Sequence, residues 1–321
     1  METRLLSAQS HADLDEAAGL IRRGGLVAFP TETVYGLGAL ALEPLAVRAV
    51  YAVKGRPPAN PLIVHVLGED EARPLCARWP IEAQELASRF WPGPLTLVLP
   101  RTDRVPDEVT GGGSTVAVRA PSHPAARKLL KRVQAPLAAP SANRSEHVSP
   151  TTAAHVLRDL NGRIDAVVDG GRSPVGIEST VVALTAKGPR LLRAGAISRA
   201  ALEELLGEVP DGSPAQLAAS PGHQKRHYAP AALVRLAEAS ALQRAAAGLP
   251  GHVGALVRSE IAFPDTVVSL RLPSDPAGYA RDLYASLRDL EDRGCTSIAI
   301  EAVPETSDWD AIRDRLTRAA G

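Results

Sequence analysis

Short apolar runs alternate with stretches of helical periodicity along most of this 321-residue chain, and that alternation restricts it to a layered α/β fold. Leu26–Phe29, Leu62–Val66, Leu95–Leu99, Thr115–Arg119, the run beginning at Leu137, Ala166–Asp169, Ser179–Leu184 and Arg190–Arg193 read as strands. Between them, Asp13–Arg23, Pro44–Lys54, Ile81–Phe90, Pro124–Val133, Thr151–Leu160 and Ser198–Leu206 read as helices, several with a proline at the start or a glycine past the end. From Val209 to Pro230 prolines and glycines break the periodicity. A smaller α/β unit follows, with strands near Leu233–Leu236, Val253–Val257, Val267–Leu270 and Ile298–Glu301 and helices near Tyr279–Glu291 and Asp308–Ala319. The expected division is a first unit over 1–208, an extended linker over 209–231 and a second unit over 232–321. Two His, a Tyr and two cations crowd residues 223–228, so the linker is expected to cover something as well as connect.

Composition narrows the function classes. Lys plus Arg equals Asp plus Glu at 36 each, so there is no global field to hold nucleic acid, and any such contact must be local. Aromatics at 3% are too few for base-stacking platforms. Cys76 and Cys295 have no metal-ligand spacing, which fits reduced thiols in a cytoplasmic protein. Residues 1–11 are polar, and no apolar run approaches bilayer length, so neither a secretory signal nor a membrane span is expected.

The first unit carries an unusual stretch, Pro30-Thr31-Glu32-Thr33-Val34-Tyr35-Gly36-Leu37-Gly38, placed directly after a buried strand. Hydroxyls, a carboxylate and two glycines in nine residues suit a loop that touches a small polar ligand. Other residues spaced two apart on or beside apolar strands put polar groups on one side: Lys54 and Arg56, Ile63 and His65 opposite the Leu62, Val64 and Val66 face, Thr115, Ala117 and Arg119, and Ser141 and Asn143. Each has an ordinary explanation alone, as a helix cap, a core histidine or a turn former. Together they describe one sheet face lined with cations and hydrogen-bond donors, which suits a polyanion such as a nucleoside triphosphate. The chain has no Gly-x4-Gly-Lys-Ser/Thr loop, no Gly-x-Ser-x-Gly and no His-Glu-x-x-His. The residues alone therefore reach an anion-binding α/β enzyme or binding module, and no further.

Eight ordered motifs take the reading beyond that point. Pro30–Gly38, Lys54-Gly55-Arg56-Pro57, Asn60–Val66, Trp91–Thr96, Val118–Pro121, Ala139–Asn143, Gly176–Thr180 and Leu192–Gly195 resemble the threonylcarbamoyl-AMP synthases, the YrdC-like family, in its longer two-domain form. The resemblance implies a twisted mixed sheet with helices and a concave ligand face, followed by a smaller Rossmann-like α/β domain. It implies a nucleotidyltransferase that makes L-threonylcarbamoyl-adenylate and diphosphate from L-threonine, bicarbonate and ATP, with Mg²⁺ held mainly by the phosphates. The product would pass to a complex that modifies the adenosine beside the anticodon of certain tRNAs.

Carried over residue by residue, Lys54, Arg56, Ser141 and Asn143 match the family's catalytic Lys-x-Arg and Ser-x-Asn tetrad. Thr33, His65, Arg119, Ala139 and Ser179 match its L-threonine positions. Arg56, Asn60, Thr115, Ser141, Ser149, Arg193 and the linker Tyr228 match its ATP positions. No protein ligand for a metal is implied. Lys54 and Arg56 are expected to face phosphate and carbamate oxygens, Tyr228 to close the site, and Glu178 to orient Ser179; Glu32 and the second unit suggest no role. The chain departs from the family at His223, Gln224 and Lys225, just before an intact His227-Tyr228-Ala229-Pro230. Two other readings compete: a related carbamoyl-adenylate enzyme, whose usual additional modules are missing here, and a double-stranded RNA-binding or ribosome-assembly factor, for which local cations leave room for weak RNA binding.

Overall fold

Ten strands of the first unit pair into one mixed sheet: β1 (Arg4–Ser7), β2 (Val27–Pro30), β3 (Tyr35–Leu40), β4 (Ile63–His65), β5 (Leu95–Pro100), β6 (Thr115–Arg119), β7 (Leu137–Ala138), β8 (Ala166–Asp169), β9 (Thr180–Thr185) and β10 (Gly188–Arg193). Their order is β1-β8-β2-β3-β7-β4-β6-β5-β9-β10. The structure is a computed structural model that describes residues 2–213, 216–217 and 228–321. The expectations for His223, Gln224, Lys225 and His227, and for most of the linker, lie outside the described residues.

The predicted helices are present with small shifts at their ends. Ser10, Thr152 and Ser198 act as N-caps, each side chain accepting a backbone N–H three residues on. The helix Pro44–Lys54 stops at Gly55, whose φ of 64° is left-handed, and this turn carries Arg56 back toward the sheet.

One expectation changes. The stretch Pro30–Gly38 is not a loop throughout, because Tyr35–Leu40 form a strand hairpinned on β2. Only Thr31–Val34 turn, closed by Thr31 Oγ1 donating to the Val34 carbonyl at 2.7 Å. Two glycines hide this strand from propensity. Their purpose is room: a Cβ on Gly38 would lie 2.6 Å from the Phe29 ring, and one on Gly36 would press the Ala139 Cβ at 3.3 Å.

The period of two along each strand sorts the sheet's faces. Leu62, Val64 and Val66, Val116 and Val118, and Leu95, Leu97 and Leu99 join one large core. The intervening residues point the other way. There His65 pairs in register with Arg119, and Ile63 with Ala117. The concave side expected from sequence is this second face.

The second unit is an all-parallel sheet, β11 (Leu233–Ala237), β12 (Val253–Val257), β13 (Val267–Arg271) and β14 (Ser297–Glu301), in the order β11-β14-β12-β13. A short helix, Leu242–Ala247, was not foreseen. The unit is docked firmly. Arg288, on the helix Pro276–Asp292, grips both oxygens of Asp159 at 3.3 and 2.7 Å and the Val148 carbonyl at 2.5 Å. Arg172 meets Asp282 at 2.7 Å and Arg158 meets Asp292 at 2.6 Å. Val34, Val148, Ile177 and Tyr228 belong to the same apolar cluster as Tyr279, Tyr284 and Ile312 of the second unit. Among the described residues no helix is long and apolar enough to cross a membrane.

Gly176 makes this contact feasible. Its φ is 82°, and a Cβ there would sit 2.4 Å from the Arg281 Cα and 2.5 Å from the Ala280 carbonyl. Gly176→Ala is expected to cost about 3 kcal/mol, combining left-handed strain with backbone overlap. Gly188→Ala, at φ 95° with open space around it, supplies the control at about 1 kcal/mol. Urea unfolding of the two variants checks this, and equal losses would contradict a packing role for Gly176.

Candidate active site

A pocket opens on the second face of the large sheet. Its lining includes Thr31, Thr33, Arg56, His65, Arg119, Ala139, Ser141, Glu178, Ser179, Arg193 and Tyr228. Three walls bring these residues together. The first is the turn between β2 and β3, the second is β4, β6 and the chain leaving β7, and the third is the loop before β9 with the end of β10 and Tyr228.

The first wall is held by a buried ion pair. Arg119 Nη2 donates to Glu32 Oε1 at 2.6 Å, Nη1 to Thr33 Oγ1 at 2.8 Å, and Nε to the Gly93 carbonyl at 3.2 Å. The other Glu32 oxygen accepts the Ser122 N–H at 3.0 Å. Burial alone would raise the Glu32 carboxyl, but Arg119 and the Ser122 N–H outweigh it and hold it below its usual value. Proton directions follow by elimination. The Thr31 hydroxyl donates to the Val34 carbonyl, so in the 2.8 Å contact between hydroxyls Thr33 must donate to Thr31. Thr33 therefore offers an incoming ligand an acceptor.

His65 is also fixed by its neighbours. Its Nδ1 lies 3.2 Å from the Ile63 carbonyl, which can only accept, so Nδ1 carries the proton and Nε2 keeps its lone pair. Burial, helped by the Arg119 charge, pushes its pKa down to about 3, so the ring is neutral at working pH.

In the third wall, Arg193 Nε and Nη2 donate to the carbonyl and hydroxyl of Ser179 at 3.0 and 3.1 Å. The Thr96 hydroxyl meets the same Ser179 oxygen at 2.8 Å. Arg56 is held by Asn60 Oδ1 at 2.6 Å and the Pro61 carbonyl at 3.0 Å. Burial lowers its pKa to about 10, which leaves it charged at neutral pH.

The comparisons with known proteins agree on one family. A family model described as telomere recombination matches residues 19–195, and one described as the threonylcarbamoyl-AMP synthase C-terminal domain matches residues 197–321. A threonylcarbamoyl-AMP synthase of Pyrococcus abyssi is 42% identical over 318 residues, covering 95% of this chain and 93% of its own. That of Bacillus subtilis is 42% identical over 320 residues, covering 95% and 92%. The crystal structure of P. abyssi Sua5 complexed with L-threonine superposes with a TM-score of 0.91 at 39% identity, covering 100% of this chain and 98% of that one. The chain belongs to the threonylcarbamoyl-AMP synthase family.

Within this family member, Thr33, His65, Arg119, Ala139 and Ser179, expected at L-threonine, all line the one pocket. Of the expected ATP set, Arg56, Ser141, Arg193 and Tyr228 line it too. Asn60 reaches it through Arg56. Ser149 is buried behind it, donating to Glu178 at 2.6 Å. Thr115 stands apart in a second cleft, beside Gly111, Gly113 and Ala183.

Three expectations are revised. Lys54 does not line the pocket: its ammonium donates to the backbone carbonyls of Ser141, at 2.6 Å, and Asn143. Burial, then Arg56, pulls its pKa well below the ordinary lysine value. Asn143 likewise turns inward, its amide donating to the carbonyls of Arg144 and His147 at 2.8 and 2.7 Å. Lys54 and Asn143 therefore shape the turn that presents Ser141. Glu178 does not orient Ser179, because it accepts from Ser149, from Tyr284 at 3.0 Å and from Arg315 Nε at 3.0 Å. Tyr284 and Arg315 belong to the second unit, which sequence reading left without a role. Glu32, also left without one, anchors Arg119.

The His65 environment gives a pH signature. Its pKa is lower folded than unfolded, so its contribution is present above about pH 6.5 and is lost as pH falls toward 3. Between pH 7 and pH 5 the parent chain should lose about 2 kcal/mol through this group. His65→Asn should lose that much less, by urea unfolding at both pH values. Equal losses in both chains would contradict a buried neutral His65.

Proposed function

We propose that the chain makes L-threonylcarbamoyl-AMP and diphosphate from L-threonine, bicarbonate and ATP, for threonylcarbamoyladenosine modification of tRNA. The observation that carries this reading is the convergence of a neutral histidine, the hydroxyls of Thr31, Thr33, Ser141, Ser179 and Tyr228, and buried guanidinium groups on one pocket, in a chain of this family. The threonine amine and bicarbonate would form a carbamate and release water. A carbamate oxygen would attack the α-phosphorus, and the bond to diphosphate would break. No protein nucleophile is needed, so the residues work by positioning and by meeting phosphate charge.

Roles follow from what each group can give. Neutral His65 Nε2 accepts the threonine hydroxyl. Thr33 offers a lone pair to the ammonium or hydroxyl, and Ser179 and the Ala139 backbone complete that end. Arg119, now bonded to Thr33, is the donor for the substrate carboxylate, and Glu32 fixes its plane. Arg56, Ser141, Arg193 and Tyr228 meet the phosphates, with Asn60 aiming Arg56. Lys54 and Asn143 act through the Ser141 turn, Ser149 acts through Glu178, and Thr115 serves a more distant part of the nucleotide.

Among the described residues no three His, Cys, Asp or Glu side chains cluster to hold a metal. Glu178 in the pocket lining and Glu32 behind Arg119 are already ion-paired. Mg²⁺ would arrive with ATP, held by phosphate oxygens and water. Arg56, Arg119 and Arg193 are all buried, which suits a small polyanion better than an RNA backbone. We assign the catalytic unit to 1–208, the linker that carries Tyr228 to 209–231 and the C-terminal unit to 232–321. The free thiols of Cys76 and Cys295 fit a cytoplasmic enzyme that hands its product to a tRNA threonylcarbamoyl-transferase complex.

The test is incubation with ATP, bicarbonate and labelled L-threonine, followed by assay of diphosphate and a labile adenylate. Diphosphate release should depend on threonine, and release that ignores threonine would refute the reading. Arg56→Ala should lower turnover by about 10²–10³, the usual effect of losing one charged transition-state donor.

A further inference from the structure

Arg315 lies in the helix Asp310–Ala320 of the second unit, and its side chain is 0% exposed. It reaches the back of the pocket's third wall at three points. Its Nε donates to Glu178 Oε2 at 3.0 Å, its Nη1 donates to the Ala194 carbonyl at 3.0 Å, and its guanidinium lies 5.1 Å from the Tyr228 ring centre. Tyr284 joins it from the helix Pro276–Asp292. The Tyr284 hydroxyl donates to the same Glu178 oxygen at 3.0 Å, and its ring stacks on Tyr228 at 5.9 Å. Each point of contact is, or adjoins, a pocket residue: Glu178 itself, Arg193 beside Ala194, and Tyr228.

Charge gives this arrangement its meaning. Glu178 lies close enough to feel both Arg315 and Arg193, and both hold its carboxyl below the usual value against the burial that would raise it. A buried carboxylate with no other partner would swing to the nearest cation and neutralise it. Arg315 and Tyr284 engage one Glu178 oxygen and Ser149 the other. Arg193 instead bonds to Ser179 and, at 3.5 Å, to the Tyr228 hydroxyl.

We propose that Arg315 and Tyr284 are positioning residues of the active site, supplied by the C-terminal unit, which hold Glu178 off Arg193 so that the Arg193 charge meets the substrate's phosphates. This rests on the function proposed above, since it assigns phosphate to that wall. Neither residue touches substrate. Both act through Glu178 and Tyr228.

Steady-state kinetics on the full chain test this, with threonine-dependent diphosphate as the readout. If the parent chain shows no such turnover, the function reading fails before the variants are considered. With the parent active, Arg315→Met should raise KM for ATP about tenfold or more while KM for threonine stays within about twofold. Arg315→Lys, which keeps the charge, should recover part of the loss. The double variant Glu178→Gln with Arg315→Met should return KM for ATP to within about threefold of Glu178→Gln alone, because a neutral amide no longer competes for Arg193. A folded Arg315→Met with unchanged KM for ATP overturns the proposal, as do losses in the two single variants that simply add. If Arg315→Met does not fold by circular dichroism, Tyr284→Phe decides. It keeps the stacked ring and should raise KM for ATP about threefold, and parent values would overturn the proposal.

Discussion

The pocket depends on one buried pairing, Arg119 with Glu32. Removing two charges from water is costly and is offset only when the remaining hydrogen-bond capacity is filled. Here it is filled by backbone and side chain together. Arg119 also donates to Gly93 and Thr33, and Glu32 also accepts from Ser122. The pair thus ties the β2–β3 turn to β6 and to the chain leaving it. The same turn then captures the loop before β9, with the Val175 N–H donating to the Glu32 carbonyl at 2.8 Å and the Gly176 N–H to the Thr33 carbonyl at 3.1 Å. Breaking the pair would loosen all three walls.

Glu178 and Arg315 repeat this solution one layer further out. A carboxylate on the pocket wall is matched by an arginine whose backbone belongs to another unit. Arg288 with Asp159 does the same nearby, and both arginines are nearly inaccessible. Buried ion pairs contribute little net stability compared with apolar packing, but they are exacting about geometry. The apolar cluster shared by Val34, Ile177, Tyr228 and Tyr284 supplies adhesion, while the ion pairs fix register. The second unit is therefore part of the site's foundation and not a passenger.

What was legible in the sequence follows the same division between local and distant. Strand period placed His65 and Arg119 on the face opposite Val64 and Val118, because alternation is a local property of the backbone. The strand Tyr35–Leu40 was hidden because Gly36 and Gly38 weaken the propensity signal, although they are needed for close approach to Ala139 and Phe29. The Lys54 contacts are not legible in the sequence, because a lysine's charge is visible there while the carbonyls that accept it are not. Glu32 stood beside Thr33 with its partner 87 residues away, and Glu178 with its partner 137 residues away. No periodicity links such pairs; only the folded sheet and the docked helices bring them together.

The chemistry proposed for this site uses no protein nucleophile, and such chemistry needs its groups held still before substrate arrives, since positioning is most of what they offer. The lysine behind the wall fits that requirement better than a lysine in it. An ammonium on a flexible four-carbon stem is a poor fixed template, whereas a planar guanidinium bonded along two edges is a good one. Here the lysine is spent on backbone carbonyls, fixing the turn that carries Ser141, and the arginines face the pocket with their planes set by Asn60, Glu32 and Ser179. Rigid cations face inward, and the flexible one serves as internal bracing.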